Sequence, residues 1–576
     1  MHSLVQDQLT FSGKLARLGQ RLKDPEWRRY GMLLIGGKAL GMMLVLGVIF
    51  ASYLMPRLLS GAPVFAQATQ PTTQNLTTAV QASDPYVSPI NTTWTLLGAF
   101  LVFGMQAGFT MLEVGFCRSR ETVNVLVECV FDTCLCGILF WAFGYAFMFG
   151  QGNGLIGWHD PNDVAGGPVH NWLFLQGGAA FALYGATGVP VMAHWIFQFA
   201  FADCASTICS GTMIGRTAFW GDILYSVCVS GFIYPIIGHW TWGPDGFLYT
   251  MGNATTTGGN AFTHFLPSIG TYFHDFAGST VVHSIGGWIA LAGGIMLGPR
   301  LGRKFKRDGG GPMLPHDLVM GVVGGFILWF GWYGFNPGST LSAMDFIGIG
   351  RVATNTTLAA SAGGMVAIFI GYLMMGTWDA SFMTNGFLAG LVAITCPCYW
   401  VSPLGAIALG GIAGGVVIAG IELLEFLRID DPIGAWPVHG LCGIWGTVSL
   451  GLFASGEYNL TGSGSLATAI KDAAAPVDPT LYATGLFYGG GVTLLKAQII
   501  GSFVTCAATF VVAMVVFGVL NMVGLLRVTK EGELEGLDIH EHGISAYPEF
   551  VISHMYAPQG MPKHTVNTGT GATATV

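Results

Sequence analysis

Apolar residues run in long blocks along this chain, separated by short polar or glycine-rich stretches. From residue 93 onward the blocks are long enough to predict helices that cross a membrane. Eleven of them qualify, at roughly 93 to 115, 124 to 149, 190 to 214, 219 to 242, 275 to 298, 317 to 336, 352 to 375, 385 to 402, 404 to 427, 435 to 454 and 497 to 525, the eighth being short. The pattern predicts an all-α, polytopic membrane protein with a transmembrane domain over 93–525. An odd count of spans accommodates two five-helix repeats of inverted orientation plus one extra helix, a plan found in many transporters.

Ahead of the blocks, Lys14, Arg17, Arg21, Lys23, Arg28 and Arg29 precede the apolar run "ALGMMLVLGVIFASYLM" and then "APVFAQATQ". That order of basic, apolar and A-x-A segments predicts a signal peptide over 1–68, with an uncleaved signal anchor as the alternative. Residues 69–92 read as a polar extracytoplasmic linker. Beyond the last block, 526–576 reads as a charged tail that fades after Ala557 into small polar residues.

Composition narrows the class. The chain of 576 residues is 52% hydrophobic and only 9% charged, where soluble domains carry about 25% charged residues. A net charge of -8 with dispersed basic residues gives no footprint for nucleic acid. The eleven cysteines fall almost entirely in apolar runs, as expected of small buried hydrophobes. Basic residues fix the orientation. If residue 93 starts outside, Arg118, Arg120, Arg216, the cluster "PRLGRKFKR", Arg428, Arg527 and Lys530 all face the cytoplasm, while loops 150 to 189 and 243 to 274 hold no Lys or Arg. The core N-terminus is then outside and the C-terminus inside a cell membrane.

Two ionisable groups stand inside these blocks. His283 lies in the fifth span, eight residues and about 12 Å of helix beyond Asp275, and His439 lies in the tenth. Corresponding helices of two inverted halves would each bring one imidazole to the midplane. Two neutral imidazoles can share a hydrogen bond and suit a small neutral polar solute, whereas burial disfavours a cation between them. Cys442 lies one turn after His439, but no Cys, Asp or Glu sits one turn from His283, so no metal and no cofactor is expected. Nor does a paired carboxylate motif accompany the histidines, which argues against an intramembrane enzyme. Glu113 and Glu121 are expected to be structural, paired with Arg118 or Arg120.

The segments "DFAGSTVVHSIGGWIALAGG" and "WFGWYGFNPGS" resemble the signature segments of the ammonium transporter family (Amt/Mep/Rh). So do "MLEVGFCRSR", "QFAFADCASTICSGTMIGR", "YPIIGHWTWGPDG", "LRIDDPIGAWPVHGLCGIWG" and "LEGLDIHEHGISAYPEF". The resemblance runs from about residue 92 to about 547 and is closest in style to plant and cyanobacterial members. It implies that His283 and His439 are the twin pore histidines, that Phe201 and Phe335 form a stacked gate above them, and that Trp332 lines the path below. It also implies that Phe197, Trp242 and Ser339 form the outer site that recruits ammonium, with Asp275 next to it helping to hold the site and favouring a cation.

The physics of these residue types agrees, since an aromatic face attracts a small cation by ~0.5 to 2 kcal/mol. The implied solute is ammonium or ammonia, with methylammonium as a further candidate. The implied assembly is a homotrimer in a lipid bilayer, with a P-II type signal protein as a candidate cytoplasmic partner. The competing reading is an ammonium sensor that signals through its cytoplasmic face with little flux. The chain departs from the family at Gly434, where bacterial members often carry an acid. It departs again at His540, where plants often place a threonine, so a phosphorylation switch at that site is unavailable. The tail is expected to pack against the loops at Arg300 to Arg307 and at Arg428 through Glu531, Glu533, Glu535 and Asp538.

Overall fold

The computed structural model describes residues 87–163, 169–175, 182–184, 187–249, 273–459 and 482–548, and the backbone of a short hairpin at 565–568 and 572–575. The expected signal segment 1–68 lies outside the described residues. Eleven helical spans follow one another: α1 Val87–Phe116, α2 Ser119–Phe149, α3 Val191–Ser210, α4 Phe219–Trp242, α5 Ser279–Leu297, α6 Leu318–Phe335, α7 Phe346–Met375, α8 Ala380–Thr395, α9 Pro403–Leu427, α10 in two pieces, Trp436–Leu441 and Cys442–Phe453, and α11 Thr493–Met522. Two short helices of the tail follow, α12 Lys530–Glu535 and α13 Leu537–His542.

Among the described residues, eight helices are long and apolar enough to cross a membrane by length and composition: α1, α2, α4, α5, α6, α7, α9 and α11. The other three have a local cause. α8 has only 16 residues, α10 dilutes its apolar residues with Pro437, His439 and several glycines, and α3 places His194, Gln198 and Asp203 among its apolar residues.

Helix starts are fixed by side chains that accept the free N–H groups of the first turn. Asp317 accepts from Met320, Asp345 from Gly348 and Ser402 from Gly405. α1 begins at Val87, inside the stretch expected to be linker. Asn91 explains the difference: it donates to the Thr187 carbonyl and accepts from Ser342 and from the Ala343 N–H, so the polar start of the helix is satisfied by neighbouring loops.

Corresponding helices of the expected halves run antiparallel. The end of α1 meets the start of α6, where Asp317 N–H donates to Gly115 O at 3.1 Å, while Trp94 near its beginning donates to Thr340 beyond the end of α6. α5 and α10 are related in the same way. Arg300, just past α5, bonds Asp430, just before α10, while Thr280 near the start of α5 meets Thr447 in the second half of α10 at 2.6 Å. Between these ends the helices touch backbone to backbone, since a Cβ added to Gly287 would lie 2.3 Å from Gly440 N.

The basic residues gather at one end of the bundle. Asp430 accepts from Arg300 at 2.8 and 2.9 Å and from Arg303 at 3.3 Å, and its backbone carbonyl accepts from Arg216. Burial would raise the Asp430 carboxyl, but the hydrogen bonds and charge of Arg300, with Arg216, outweigh it and hold it well below the usual carboxylate range. Glu121 pairs with Arg118 as expected. Glu113 does not pair with an arginine: it is buried and accepts from Ser210 Oγ at 2.9 Å, because α1 carries it against α3 rather than toward the loop.

The tail docks on this end, but Asp538, Glu535 and Arg428 take partners other than those expected. Glu533 accepts from the Leu301 N–H and from Arg527, and Asp538 accepts from the Asn124 N–H at 3.0 Å. His542 bonds Asn124 and Tyr547 bonds His316, both at 2.9 Å. Arg428 instead pairs with Asp308 in the neighbouring loop, and Glu535 faces His540 within the tail.

Candidate functional site

Two short signals set the site. α5 and α10 both open on the pattern Asp-x-x-Gly-x-x-x-x-His, at Asp275, Gly278, His283 and at Asp431, Gly434, His439. Asp275 accepts four backbone N–H groups at 2.9 to 3.0 Å, from Gly278, Ser279, Thr280 and Val281. Asp431 accepts three, from Gly434, Ala435 and Trp436, each at 3.0 Å. A carboxylate held there satisfies the orphan donors and complements the positive end of the helix. The glycines sit at φ of 110° and 79°, a left-handed turn that a side chain would strain. The left-handed φ at the helix entry favours Gly434, the residue that adopts it without strain.

After each entry the helix widens into a π-turn, Ser279–Ser284 in α5 and Trp436–Leu441 in α10, and each turn carries its histidine. The two rings meet: Nδ1 of His439 lies 3.2 Å from Nδ1 of His283. One Nδ1 must donate and the other accept, so a doubly protonated pair would set two N–H groups against each other. The neutral pair leaves one Nε2–H and one bare Nε2 at its outer edges. His283 Nε2 is buried with no partner. Cys442 turns away to the Ala413 carbonyl, and among the described residues no group of three His, Cys, Asp or Glu is placed to hold a metal ion.

Aromatic rings continue the column. His283 stacks on Trp332 at 5.2 Å and on Phe335 at 5.3 Å, and the Trp332 indole is fixed by a 2.9 Å bond to Thr395. Phe335 stacks on Phe201 with centroids 4.0 Å apart, both rings buried. Beyond Phe201, at the end opposite the arginines, a pocket of about 300 Å³, open solvent included, is lined by Phe197, Phe201, Trp242 and Ser339 among others. Trp242 donates to the Asp275 carbonyl at 2.8 Å, and Ser339 donates to the Phe335 carbonyl at 2.7 Å, leaving its lone pairs free. The structure thus gathers eight of the nine residues expected from the sequence into one column.

Asp275 is the exception. Expected beside the pocket as a cation-favouring group, it does not line it, because its carboxylate is turned inward onto the four backbone amides. The other part expected of it, helping to hold the site, has a structural basis in its carbonyl on Trp242 and its hold on the start of α5.

A profile of the Ammonium Transporter Family matches residues 93–547, most of the chain and all of this column. The chain belongs to the ammonium transporter family. It is 40% identical over 475 residues to "Ammonium transporter Amt2" of Archaeoglobus fulgidus, covering 82% of this chain and 91% of that one. To "Ammonium transporter 1 member 3" of Solanum lycopersicum it is 34% identical, covering 80% and 93%. Among solved structures, a chain described as "Sensor Amt Protein" superposes with a TM-score of 0.65 at 33% identity, covering 79% and 99%. Saccharomyces cerevisiae Mep2 superposes at 0.62 with 24% identity over 78% and 89%, a likeness of fold alone. Like its relatives in the ammonium transporter family, the chain is a multi-pass helical membrane protein.

Six pocket residues escaped the sequence reading: His194, Gln198, Phe149, Tyr184, Phe276 and Leu341. The first two were legible in principle. His194, Phe197, Gln198 and Phe201 fall at i, i+3, i+4 and i+7 of α3, so one face of the helix carries two rings of the column and both polar groups.

Proposed function

We propose that this protein carries ammonium across its membrane by binding the cation in the Trp242 pocket, giving up one of its protons to water on the pocket side of the Phe201 and Phe335 rings, and passing ammonia along His283 and His439, with the proton either left outside or carried across separately. The observation that carries this reading is the continuity of the column, in which each ring contacts the next from the pocket to the histidine pair. In the pocket, Trp242 and Phe201 offer π-faces and Ser339 offers lone pairs, which suit a small cation with N–H donors. Past the stacked rings the path is dry and lined by a neutral imidazole pair, where a bare cation loses its hydration and ammonia loses little. Selection against potassium then follows, because potassium has no proton to leave behind.

The basic end of the bundle is assigned to the cytoplasm by the charge bias of its loops. A homotrimer, a P-II type protein at the basic end, and the absence of enzymatic activity complete the reading. The likeness to a solved chain described as a sensor supports a second reading, signalling with little flux. Uptake of labelled ammonium into proteoliposomes separates the two, since a sensor leaves the vesicles near background.

The pocket should act as a cation recruiter. Trp242→Leu and Ser339→Ala are each expected to raise the half-saturating ammonium concentration about fivefold, or ~1 kcal/mol, with a smaller effect on maximal uptake. Unchanged concentration dependence in both variants would place the site elsewhere. The docked tail supports a further expectation. Truncation after Tyr556 should leave uptake intact. Truncation after Arg527 should lower it, because Glu533 and Asp538 no longer hold the Leu301 and Asn124 amides. Equal uptake per inserted protein from both truncations would make the tail passive.

A further inference from the structure

The α3 face that enters the pocket carries two buried polar side chains, His194 and Gln198, exposed by only 1% and 4%. The carboxamide nitrogen of Gln198 lies 3.2 Å from Nε2 of His194, while its oxygen Oε1 is buried without a partner. The other ring nitrogen of His194, Nδ1, lies 2.8 Å from the Tyr145 hydroxyl. The ring itself is clamped, lying flat on Tyr184 at 3.6 Å and 9° and edge-on to Phe149 at 4.9 Å.

A neutral imidazole has one N–H and one lone pair, so these two contacts are coupled. With the proton on Nδ1, the ring donates to Tyr145 Oη and accepts from the Gln198 amide at Nε2, which leaves the Gln198 carbonyl to the pocket. With the proton on Nε2, the ring would require the Gln198 oxygen as its partner, and the amide would turn its NH₂ to the pocket instead. The Gln198 amide, with its nitrogen toward Nε2, is placed as the first arrangement requires. It makes the pocket a set of acceptors, because Ser339 has already given its proton to the Phe335 carbonyl. The second would put two donors beside a bound cation.

We propose that His194 is a positioning residue of this pocket: by accepting from the Gln198 amide it holds the Gln198 carbonyl as an acceptor for an ammonium N–H. The inference rests on the transport reading above and adds to it the group that sets pocket polarity. His194 does not touch the solute in this account; it acts through Gln198.

The test is concentration-dependent ammonium uptake by the purified full-length protein in proteoliposomes. It compares wild type with His194→Phe, Gln198→Leu, the double variant of these two, and Tyr145→Phe. His194→Phe keeps a ring against Tyr184 and is expected to raise the half-saturating concentration about fivefold while changing maximal uptake less than about twofold. The double variant should be no worse than Gln198→Leu alone, since the two residues act as one unit. Tyr145→Phe, which removes only the hydroxyl at Nδ1, should shift the half-saturating concentration in the same direction by less. An unchanged half-saturating concentration in His194→Phe, or a double variant whose effect is the product of the two single effects, overturns the proposal. If His194→Phe does not insert, an unchanged value in Tyr145→Phe overturns it. Wild-type vesicles without saturable ammonium uptake would remove the transport reading itself, a separate outcome.

Discussion

Alanine at His283 or at His439 is expected to abolish ammonium-selective transport while the chain still inserts. The two rings meet in the column below Phe335, and their 3.2 Å contact depends on both. Removing either ring leaves the other nitrogen without its partner in a dry environment, where an unpaired polar group costs on the order of 1 to 3 kcal/mol. Water can then enter the space, and a hydrated path no longer distinguishes ammonium from potassium. The ratio of ammonium to potassium flux should fall at least about tenfold, equivalent to ~1.4 kcal/mol of discrimination. Insertion should survive because the helices around the pair are held elsewhere, by the close approach of Gly287 to Gly440 and by the Asp430 cluster. Flux of both ions through reconstituted variants checks this. Wild-type ammonium transport and wild-type exclusion of potassium in both variants would refute the role of the pair.

Asp275→Ala is expected to be the most damaging single change to the fold of the site, on the order of 4 kcal/mol, because it strands four buried N–H groups at once. The entry to α5 would loosen, and with it the π-turn that aims His283 and the carbonyl that holds Trp242. Asp431→Ala should be milder, since it strands three. Asn in place of Asp275 keeps one acceptor oxygen and should fall between wild type and alanine. The readout is the thermal unfolding temperature of the detergent-solubilised protein. If Asp275→Ala unfolds no earlier than wild type, the carboxylate is not the anchor of this helix, and a direct charge effect on the bound cation regains its place.

Much of this arrangement was legible in the sequence, and the remainder failed for identifiable reasons. Hydrophobic blocks located all eleven helices, with edges off by a few residues wherever a polar side chain continues a helix, as Asn91 does in α1. The histidine pair was legible because an ionisable group in an apolar block needs a partner at the same depth. The antiparallel halves were only hinted at by that pair. The stronger sign, the repeated Asp-x-x-Gly-x-x-x-x-His, hid because between its fixed points only Val282 and Val438 agree, and the backbone geometry at Gly278 and Gly434 makes the two copies equivalent. Aromatic stacking at Phe201 and Phe335 could be reached only through resemblance, since two phenylalanines far apart in sequence carry no signal of contact.

Direction defeated the reading at other positions. Sequence placed Asp275 near the pocket but could not tell a carboxylate facing a cation from one facing backbone amides. It gave Glu113 an arginine partner from the neighbouring loop, while the helix turns it to Ser210. For Arg428 it chose the distant tail over Asp308 in the adjacent loop. His194 and Gln198 were passed over because a polar pair on an apolar helix reads first as a defect in hydropathy. Their spacing with Phe197 and Phe201 identifies them as a face.

The most direct test of the account is the current that follows rapid solution exchange over proteoliposomes on a solid support, comparing ammonium pulses with potassium pulses at equal concentration, alongside uptake of labelled ammonium. The account predicts saturable ammonium uptake and no response to potassium in the wild-type protein, and loss of that discrimination when His283 is replaced. Comparable currents from ammonium and potassium in the wild-type protein would contradict it.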